Sequence, residues 1–351
     1  MKKKLLKYLI CPSCKSGFKI KSSQEKNGEI ISGNLICANW HRFQISLGIP
    51  RLLDKKRITA LQKKTQDTFS IKWQKIPAFG FEDKTRNFHL KWYLQRYGWK
   101  KLKNLTNFLS TRKFILDAGT GLGRDTKLYA ENTQGQVFGL DISKSIDIAY
   151  QHIGHLPNVH LIQADLTRLP FRTNFFDFIS SDQVLHHTPD TKKSFFYLAG
   201  FLSKGGQIAF YVYKKKGPIR EFCDDYLRKY TTELSPVKCY EFSKTITKFG
   251  KSLSDLKMNI RVPEDIPFIE IKAGKHNLQR FIYWNILKCF WNDDFDFETN
   301  IMTNFDWYYP KYAHRHTEEE VKNWIHKKRL KTLNFNVIES GISARAIKCA
   351  E

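Results

Sequence analysis

The chain has 351 residues, 41% of them hydrophobic, which is enough for a buried core and for two domains or one domain with additions. No run approaches the roughly 18 apolar residues of a membrane-spanning helix, so we do not expect a membrane-spanning helix in this chain. The formal net charge of +25 fits nucleic acid, an anionic membrane surface or an acidic substrate as partner, and equally a lysine-rich solvated surface.

The N-terminus, MKKKLLKYLIC, has a short apolar part interrupted by Lys7. No small-residue cleavage site follows it, which argues against a signal peptide. We therefore expect a cytoplasmic protein whose seven cysteines are thiols or metal ligands rather than disulfides.

Two knuckles of metal-ligand type lie in the first 55 residues. Cys11 and Cys14 form a CxxC pair, and Cys37 and His41 form a CxxxH pair. Three thiols and one imidazole are a tetrahedral zinc set, and a short segment with little core gains stability from a metal. Turn-rich residues such as Asn27-Gly28 and Gly33-Asn34 lie between the knuckles and suit a β-hairpin. A ribbon that folds without metal is the alternative.

Residues 56–110 are basic and aromatic, and Leu90 to Tyr97 has helical spacing. The stretch Phe114 to Asp125 reads FILDAGTGLGRD, in which a β-type run ends at Asp117 and opens into Gly119, Gly121 and Gly123. This pattern predicts a strand, a glycine turn and a helix that begin a nucleotide-binding unit. The spacing GxGxG departs from the dinucleotide pattern at Arg124, which favours S-adenosylmethionine over a nicotinamide or a flavin.

Acidic residues end the next predicted strands. Asp141 ends the second strand, Asp165 the third and Asp182 the fourth, and a fifth strand covers Gln207 to Tyr213 after the predicted turn LSKGG. A carboxylate such as Asp141 suits the paired hydroxyls of a ribose.

From Phe114 to Tyr213 the chain resembles the class I S-adenosylmethionine-dependent methyltransferases with a type-11 methyltransferase domain. The resemblance rests on DAGTGLGRD, GLDIS, QADLTRLPF, FDFISSDQVLHH and LSKGGQIAF, which occur in the family's order. It implies a Rossmann-like, seven-stranded α/β sheet. The N-terminal segment, with its closing GIPRLL, resembles the zinc-ribbon-like domain found ahead of many methyltransferases, and a bacterial rRNA guanine methyltransferase family carries a similar ribbon.

The resemblance also implies a set of cofactor-binding residues. The three glycines would lie under the methionine part with Asp117 near its amino group, Asp141 would hold the ribose, and Asp165 the adenine amino group. The neighbouring side chains assigned to the same site are Ile142, Leu166 and Asp182.

His186 and His187 follow the fourth strand, where donor and acceptor meet in this family, and an imidazole there could take a proton from the acceptor. One of the pair could instead only pack or position.

The roughly 100 residues from Lys214 to His316 predict a helical cap over the open end of the sheet, where substrate recognition sits in this fold. Candidate substrate residues in this cap are Arg280, Trp307, Tyr308 and His314, and a helical unit with its own aromatic core is the alternative. Thr317 to Glu320 predicts a capping box, after which a last helix and a β-hairpin complete the sheet.

The predicted organisation is a zinc-ribbon-like domain (1–55), a helical linker or lid (56–110), a Rossmann-like core (111–213), a cap insertion (214–316) and a terminal helix with a hairpin (317–351). The predicted function is methyl transfer from S-adenosylmethionine to a small-molecule or glycan-related acceptor, with structural zinc and weak, non-specific nucleic-acid binding. The alternatives are an rRNA or tRNA methyltransferase and a non-enzymatic S-adenosylmethionine-binding protein.

Overall fold

The computed structural model describes residues 1–54 and 57–349. The N-terminal part forms a small antiparallel sheet in the order β1-β2-β3-β4, which we call the ribbon. A short 3₁₀ helix precedes it, and its strands are β1 (Phe18–Lys26), β2 (Glu29–Cys37), β3 (Arg42–Ser46) and β4 (Ile49–Pro50). Asn27 and Gly28 form the turn between the first two strands, as predicted. The β-hairpin predicted between the knuckles is confirmed as β1 and β2, and Gly33 and Asn34 lie within β2, where they pair with β3.

Three helices separate the ribbon from the central sheet: α1 (Ala60–Lys75), α2 (Asp83–Arg96) and α3 (Leu102–Ser110). The Thr59 hydroxyl accepts from the Gln62 amide, and the Gln62 side chain accepts in return, so a capping box begins α1. The helix predicted over Leu90 to Tyr97 is confirmed as the last turns of α2.

The central unit alternates strands and helices. Its elements are β5 (Phe114–Ala118), α4 (Arg124–Glu131), β6 (Gln136–Asp141), α5 (Ser145–Ile153), β7 (Val159–Gln163), β8 (Phe176–Ser181), α6 (Thr191–Ala199) and β9 (Leu202–Lys214). The residues predicted as the turn LSKGG open β9 instead, where a register shift separates the Phe176–Leu202 pair from the Phe178–Gln207 pair. These strands are apolar on both faces, as expected for a parallel sheet covered by helices.

A largely helical insertion follows β9, and we call it the cap. It contains α7 (Pro218–Thr231), α8 (Pro236–Asp255), β10 (Asn259–Val262), β11 (Gly274–Asn277), α9 (Leu278–Asn285) and α10 (Phe297–Tyr308). The chain then returns to the central sheet through β12 (Arg315–His316), α11 (Glu318–Lys327), β13 (Leu330–Val337) and β14 (Gly341–Lys348). The predicted capping box at Thr317 and Glu320 is confirmed at the start of α11.

The central sheet has the order β13-β14-β9-β8-β5-β6-β7, with β12 beside β9. Strands β5 to β9 are parallel, and β14 runs antiparallel between β9 and β13. The chain moves outward from β5 through β6 to β7 and then restarts at β8, on the other side of β5. This reversal opens a crevice at the carboxyl ends of β5 and β8, which is where open α/β sheets bind ligands.

The ribbon covers the outer edge of β7. The Leu52 amide donates to the Gln163 carbonyl at 2.7 Å, and Arg51 forms an isolated parallel bridge with the same residue. Arg51 also forms an ion pair with Asp147 on α5. None of the helices within residues 1–54 and 57–349 is long and apolar enough to cross a membrane.

Candidate functional site

A glycine turn joins β5 to α4 at the crevice. Gly119, Gly121 and Gly123 all have positive φ, at 99°, 55° and 89°, a region that suits glycine. A Cβ on Gly119 would lie 2.3 Å from the side chain of Val184. A Cβ on Gly123 would press on Ile153 of α5, so this glycine packs the helix rather than facing the crevice.

Asp141, at the end of β6, is tied to the glycine turn. Its carboxylate accepts from the Gly121 amide at 2.9 Å and from the amide and hydroxyl of Ser143, each at 2.7 Å. Burial raises the pKa of this carboxyl, and the three donors oppose that shift. A carboxylate has about four acceptor positions, so one remains for a ligand.

The two further strand-end acids are also held by protein donors. Asp165, after β7, accepts from the amide and hydroxyl of Thr167 at 2.8 Å and from Gln62 of α1 at 3.1 Å. Asp182, after β8, forms a buried ion pair with Arg96 of α2 at 2.5 Å and accepts from the Tyr97 hydroxyl at 2.7 Å. The first two helices therefore fix the acids at this edge.

Asp117 lies apart from these acids. It is buried at the end of β5 and accepts from the Thr126 hydroxyl at 2.7 Å. Burial, together with the charge of Asp125, raises the pKa of Asp117 to about 7. The carboxyl does not line the crevice, because Thr126 holds it against α4.

One cavity of about 490 Å³ runs from the strand-end acids to the cap. At the sheet it is lined by Gly119, Gly121, Asp141, Ile142, Asp165, Leu166 and Asp182. At the cap it is lined by Arg280, Tyr283, Trp284, Lys288, Phe290 and Trp307. A volume between about 300 and 1,000 Å³ is typical of pockets for small molecules.

Helix α1 contributes several side chains to the lining of the cavity. Trp73 lies close to the glycine turn, since a Cβ on Gly121 would be 3.3 Å from its indole nitrogen. Lys72 forms a partly buried ion pair with Asp306 of α10 at 2.5 Å, which joins α1 to the cap. His89 of α2 is buried against Phe79 and also lines the cavity. Sequence patterns missed these residues, and the aromatic content of 56–110 was their only signal.

Comparisons with known proteins agree with this geometry. Residues 116–210 match the family described as a methyltransferase domain. This part of the chain is a methyltransferase domain. The match covers β5 to β9 almost entirely and includes the strand-end acids and both histidines after β8.

Curated relatives of the methyltransferase domain act on different small molecules by name. Phosphoethanolamine N-methyltransferase 3 from Arabidopsis thaliana is 27% identical over 200 residues, which cover 51% of this chain and 41% of the relative. Ubiquinone/menaquinone biosynthesis C-methyltransferase from Wigglesworthia glossinidia brevipalpis is 29% identical over 130 residues, which cover 35% and 51%. The chain thus spans about half or less of these relatives' length.

A solved structure is similar over a larger share of the chain. Magnesium protoporphyrin IX methyltransferase from Synechocystis PCC 6803, with bound S-adenosylmethionine, aligns with 83% of this chain and 99% of its own at 12% identity, with a TM-score of 0.42.

The two histidines of the methyltransferase domain have different surroundings. The ring nitrogen Nδ1 of His187 lies 2.7 Å from the Tyr312 carbonyl oxygen, and the ring lines the cavity. Because a carbonyl only accepts, Nδ1 carries the proton and Nε2 is left as an acceptor, 3.5 Å from the Tyr213 hydroxyl. Burial lowers the pKa of His187 to about 4, so the ring is neutral at pH 7.

His186 is fully buried and does not line the cavity. Its ring lies 3.6 Å from the Tyr213 ring between centroids, and neither ring nitrogen has a hydrogen-bond partner in the described part of the chain. This placement fits the alternative in which one of the two histidines packs in the interior and does not take a proton.

Of the four predicted substrate residues, two line the cavity and two do not. Arg280 and Trp307 line the cavity, and the Trp307 indole donates to Asp224 at 3.1 Å. Tyr308 points into the cap, where its hydroxyl donates to the Lys288 carbonyl at 2.6 Å. His314 lies outside the lining, because its backbone amide is bound to the His186 carbonyl beside β9.

The ribbon brings the four predicted metal ligands together. The ligand atoms of Cys11, Cys14, Cys37 and His41 all lie within 4.8 Å of one another. The Cys14 and Cys37 sulfurs are 3.5 Å apart, and Nδ1 of His41 is 3.3 Å from the Cys37 sulfur. Zinc–sulfur bonds of about 2.3 Å in a tetrahedron place sulfurs slightly less than 4 Å apart, so the set fits zinc.

Proposed function

We propose that this protein transfers a methyl group from S-adenosylmethionine to a small-molecule or glycan-related acceptor. The observation that carries the proposal is the single cavity that joins the strand-end acids of the methyltransferase domain to the aromatic cap. One end offers acids suited to a nucleoside, and the other offers aromatic and charged side chains suited to an acceptor. The methyl donor and the acceptor can therefore bind side by side in the same cavity.

The residues at the sheet fit S-adenosylmethionine. The open acceptor position of Asp141 suits a ribose hydroxyl, and Asp165 suits the amino group of adenine. Gly119 and Gly121 line the cavity without side chains, so a ligand can approach their backbone. The bound donor supplies an electrophilic methyl group on sulfur.

The chain itself orients the acceptor and holds a proton acceptor in place. Nε2 of His187 is unprotonated, belongs to a ring that lines the cavity and can take the proton that the acceptor loses when its new bond to carbon forms. The lowered pKa makes this imidazole a weak base, which suits an acceptor whose proton becomes acidic during transfer. Helices α1 and α10, which both line the cavity, are joined by the ion pair of Lys72 with Asp306.

The size and lining of the cap favour a small acceptor. Tyr283, Trp284 and Trp307 offer flat apolar faces, which suit a sugar or another ring. The named relatives act on phosphoethanolamine and on quinone precursors, so small acceptors agree with the proposal.

Donor binding is tested by calorimetry with S-adenosylhomocysteine. Asp141→Ala removes one charge-assisted bond to the ribose, worth about 1.5–3 kcal/mol, and the anchor of the Gly121 amide. We expect affinity to fall at least tenfold. Asp147→Ala is the control, because this acid pairs with Arg51 and lies outside the cavity. Equal affinities for the two variants would refute the assigned ribose site.

RNA methylation is the second candidate, favoured by the ribbon and the net charge of +25. Labelled S-adenosylmethionine with a small-metabolite extract and with bulk RNA separates the two. Incorporation into metabolites that Trp307→Ala abolishes supports the small acceptor. Incorporation at one nucleotide, unaffected by Trp307→Ala and steeply dependent on salt, would support RNA instead. Donor binding with no transfer to either pool would favour a non-enzymatic S-adenosylmethionine-binding protein.

We also propose that the ribbon binds one structural zinc ion. Its four protein ligands leave no open coordination position, so the metal stabilises the ribbon and takes no part in methyl transfer.

A further inference from the structure

Three basic side chains line the cap end of the cavity without a carboxylate partner. They are Lys216, Arg280 and Lys288, and none of them forms an ion pair within residues 1–54 and 57–349. Other basic groups of the lining are neutralised, since Lys72 pairs with Asp306 and Arg124 with Asp125. The cap end therefore carries positive charge that the protein does not balance.

Lys288 is the most deeply buried of the three unpaired cations. The residue is 8% exposed, and its ammonium group donates to the Tyr283 hydroxyl at 3.2 Å. Its carbonyl accepts from the Tyr308 hydroxyl at 2.6 Å, which fixes the backbone at this position. A buried ammonium with only a neutral partner is unfavourable, so an anion from outside would stabilise it.

Two of the three cations, Arg280 and Lys288, lie beside one aromatic ring, and the third lies beside the next residue's ring. The charged groups of Arg280 and Lys288 lie 5.9 and 5.3 Å from the centroid of Tyr283, and Arg220 lies 5.5 Å from it. Lys216 lies 5.7 Å from the centroid of Trp284, and its ammonium is held by the Lys214 carbonyl at 2.8 Å. Burial and the charge of Arg220, with that of Lys288, lower the pKa of Lys216 to about 7, which places these groups in one electrostatic field.

The acids nearest to this cluster are already engaged. Asp224 pairs with Arg220 at 2.9 Å and accepts from Trp307, and Glu221 pairs with Arg315 at 2.8 Å. Glu339 also lines the cavity but is exposed, in the turn between β13 and β14. Within residues 1–54 and 57–349, the two carboxylates that act on Lys216, those of Asp224 and Glu221, are therefore each already paired with an arginine.

We propose that the methyl acceptor is a phosphate monoester of a small ring compound, with its phosphate bound by Lys216, Arg280 and Lys288. This proposal rests on the proposed methyltransferase function and names its substrate class. Arg280 supplies a planar fork for two phosphate oxygens, and the lysines supply point charges. Tyr283 and Trp284 contact the ring of the same molecule, which directs its nucleophile toward His187 and the strand-end acids.

The test is calorimetry on the full-length protein, with and without saturating S-adenosylhomocysteine. The probes are inorganic phosphate, phenyl phosphate and phenylacetate. Phenyl phosphate is expected to bind at least tenfold more tightly than phenylacetate and than inorganic phosphate. Lys288→Met and Arg280→Gln should each weaken phenyl phosphate at least tenfold. Arg280 is only half-buried, so its variant keeps the test valid if Lys288→Met fails to fold.

Lys215→Met is the matched control, because this lysine is the exposed neighbour of Lys216 and lies outside the cavity lining. It should leave phenyl phosphate binding within twofold, and every variant should bind S-adenosylhomocysteine within twofold of the native protein. Absence of phosphate binding, equal binding of phenylacetate, or unchanged binding in both cap variants would overturn the proposal.

A single-stranded RNA that displaces phenyl phosphate more effectively than inorganic phosphate would assign the cations to RNA and overturn the small-molecule proposal. Failure of the native protein to bind S-adenosylhomocysteine would refute the proposed function itself. The titrations without that ligand still decide whether the phosphate site exists, so the two failures are distinguishable.

Discussion

The ion pair between Arg96 and Asp182 predicts a large and specific loss of stability. Both side chains are almost fully buried, at 1% and 4% exposure, with a nitrogen–oxygen distance of 2.5 Å. The Arg96 guanidinium carbon also lies 3.2 Å from the centroid of the Trp92 ring, so replacement by methionine removes this cation–π contact as well as the ion pair. Removing one member of a buried pair leaves the other charge unbalanced, at a cost of about 3–5 kcal/mol.

We therefore expect Arg96→Met to lower the free energy of unfolding by about 3–5 kcal/mol in urea denaturation. Asp182→Asn should cost a similar amount, because the Arg96 charge then lacks its partner. The double variant removes both charges and keeps an acceptor for the Tyr97 hydroxyl, so its loss should be at least about 2 kcal/mol smaller than the sum.

Arg112→Met is the control, since this half-buried arginine lies over Phe108 and forms no ion pair within the described residues. It should change stability by less than about 0.5 kcal/mol. Strictly additive losses in the double variant would contradict the reasoning, because they would show that the two charges do not stabilise each other.

Three further predictions concern the metal, the buried acid and the glycine turn. Cys14→Ser should abolish the single zinc ion measured by mass spectrometry of the purified protein while leaving S-adenosylhomocysteine affinity within twofold; a native protein that purifies with a folded ribbon and no metal would contradict this. Burial raises the pKa of Asp117 to about 7 in the folded protein. Between about pH 4 and pH 7 this carboxyl has lost its proton in the unfolded chain but keeps it in the folded one, so the free energy of unfolding falls as pH rises. Asp117→Asn should thus stabilise the protein by roughly 4 kcal/mol at pH 8 and hardly at all at pH 4, and a pH-independent effect in thermal unfolding would argue against it. Gly119→Ala should cost about 1–3 kcal/mol more than Gly205→Ala, because both have positive φ but only the first places a Cβ against Val184; equal melting temperatures would show that the contact relaxes freely.

Much of the fold was predictable because strand ends carry local signals. The apolar runs before Asp117, Asp141 and Asp165 each became a parallel strand in the expected order. The predicted turn at LSKGG was wrong, because these residues open β9, where a register shift separates the pair made by Leu202 from the pair made by Gln207. Gly33 is also a turn-type residue, yet it lies within β2 and pairs with Ile45 of β3, and that pairing is not visible locally.

The site was only partly predictable from the sequence. Nothing in the His-His pair tells which ring faces the cavity, since this depends on the Tyr312 carbonyl from beyond the cap. Trp73 and Lys288 reach the cavity only because α1 and the cap fold over the same crevice. Their place is set by contacts between elements far apart in the chain, such as the pair of Lys72 with Asp306.

The contact between the ribbon and β7 has a consequence for the self-association of this protein. An uncovered sheet edge offers unpaired amides and carbonyls to any other chain, and it is a common starting point for self-association. Here the Leu52 amide and the Arg51 bridge occupy that edge, and the ribbon that carries them contains the four metal ligands. Removal of the zinc ion proposed for the ribbon should therefore free β7 as well as loosen the ribbon. A chelator should turn a clear solution of this protein into a scattering one before the central sheet itself unfolds.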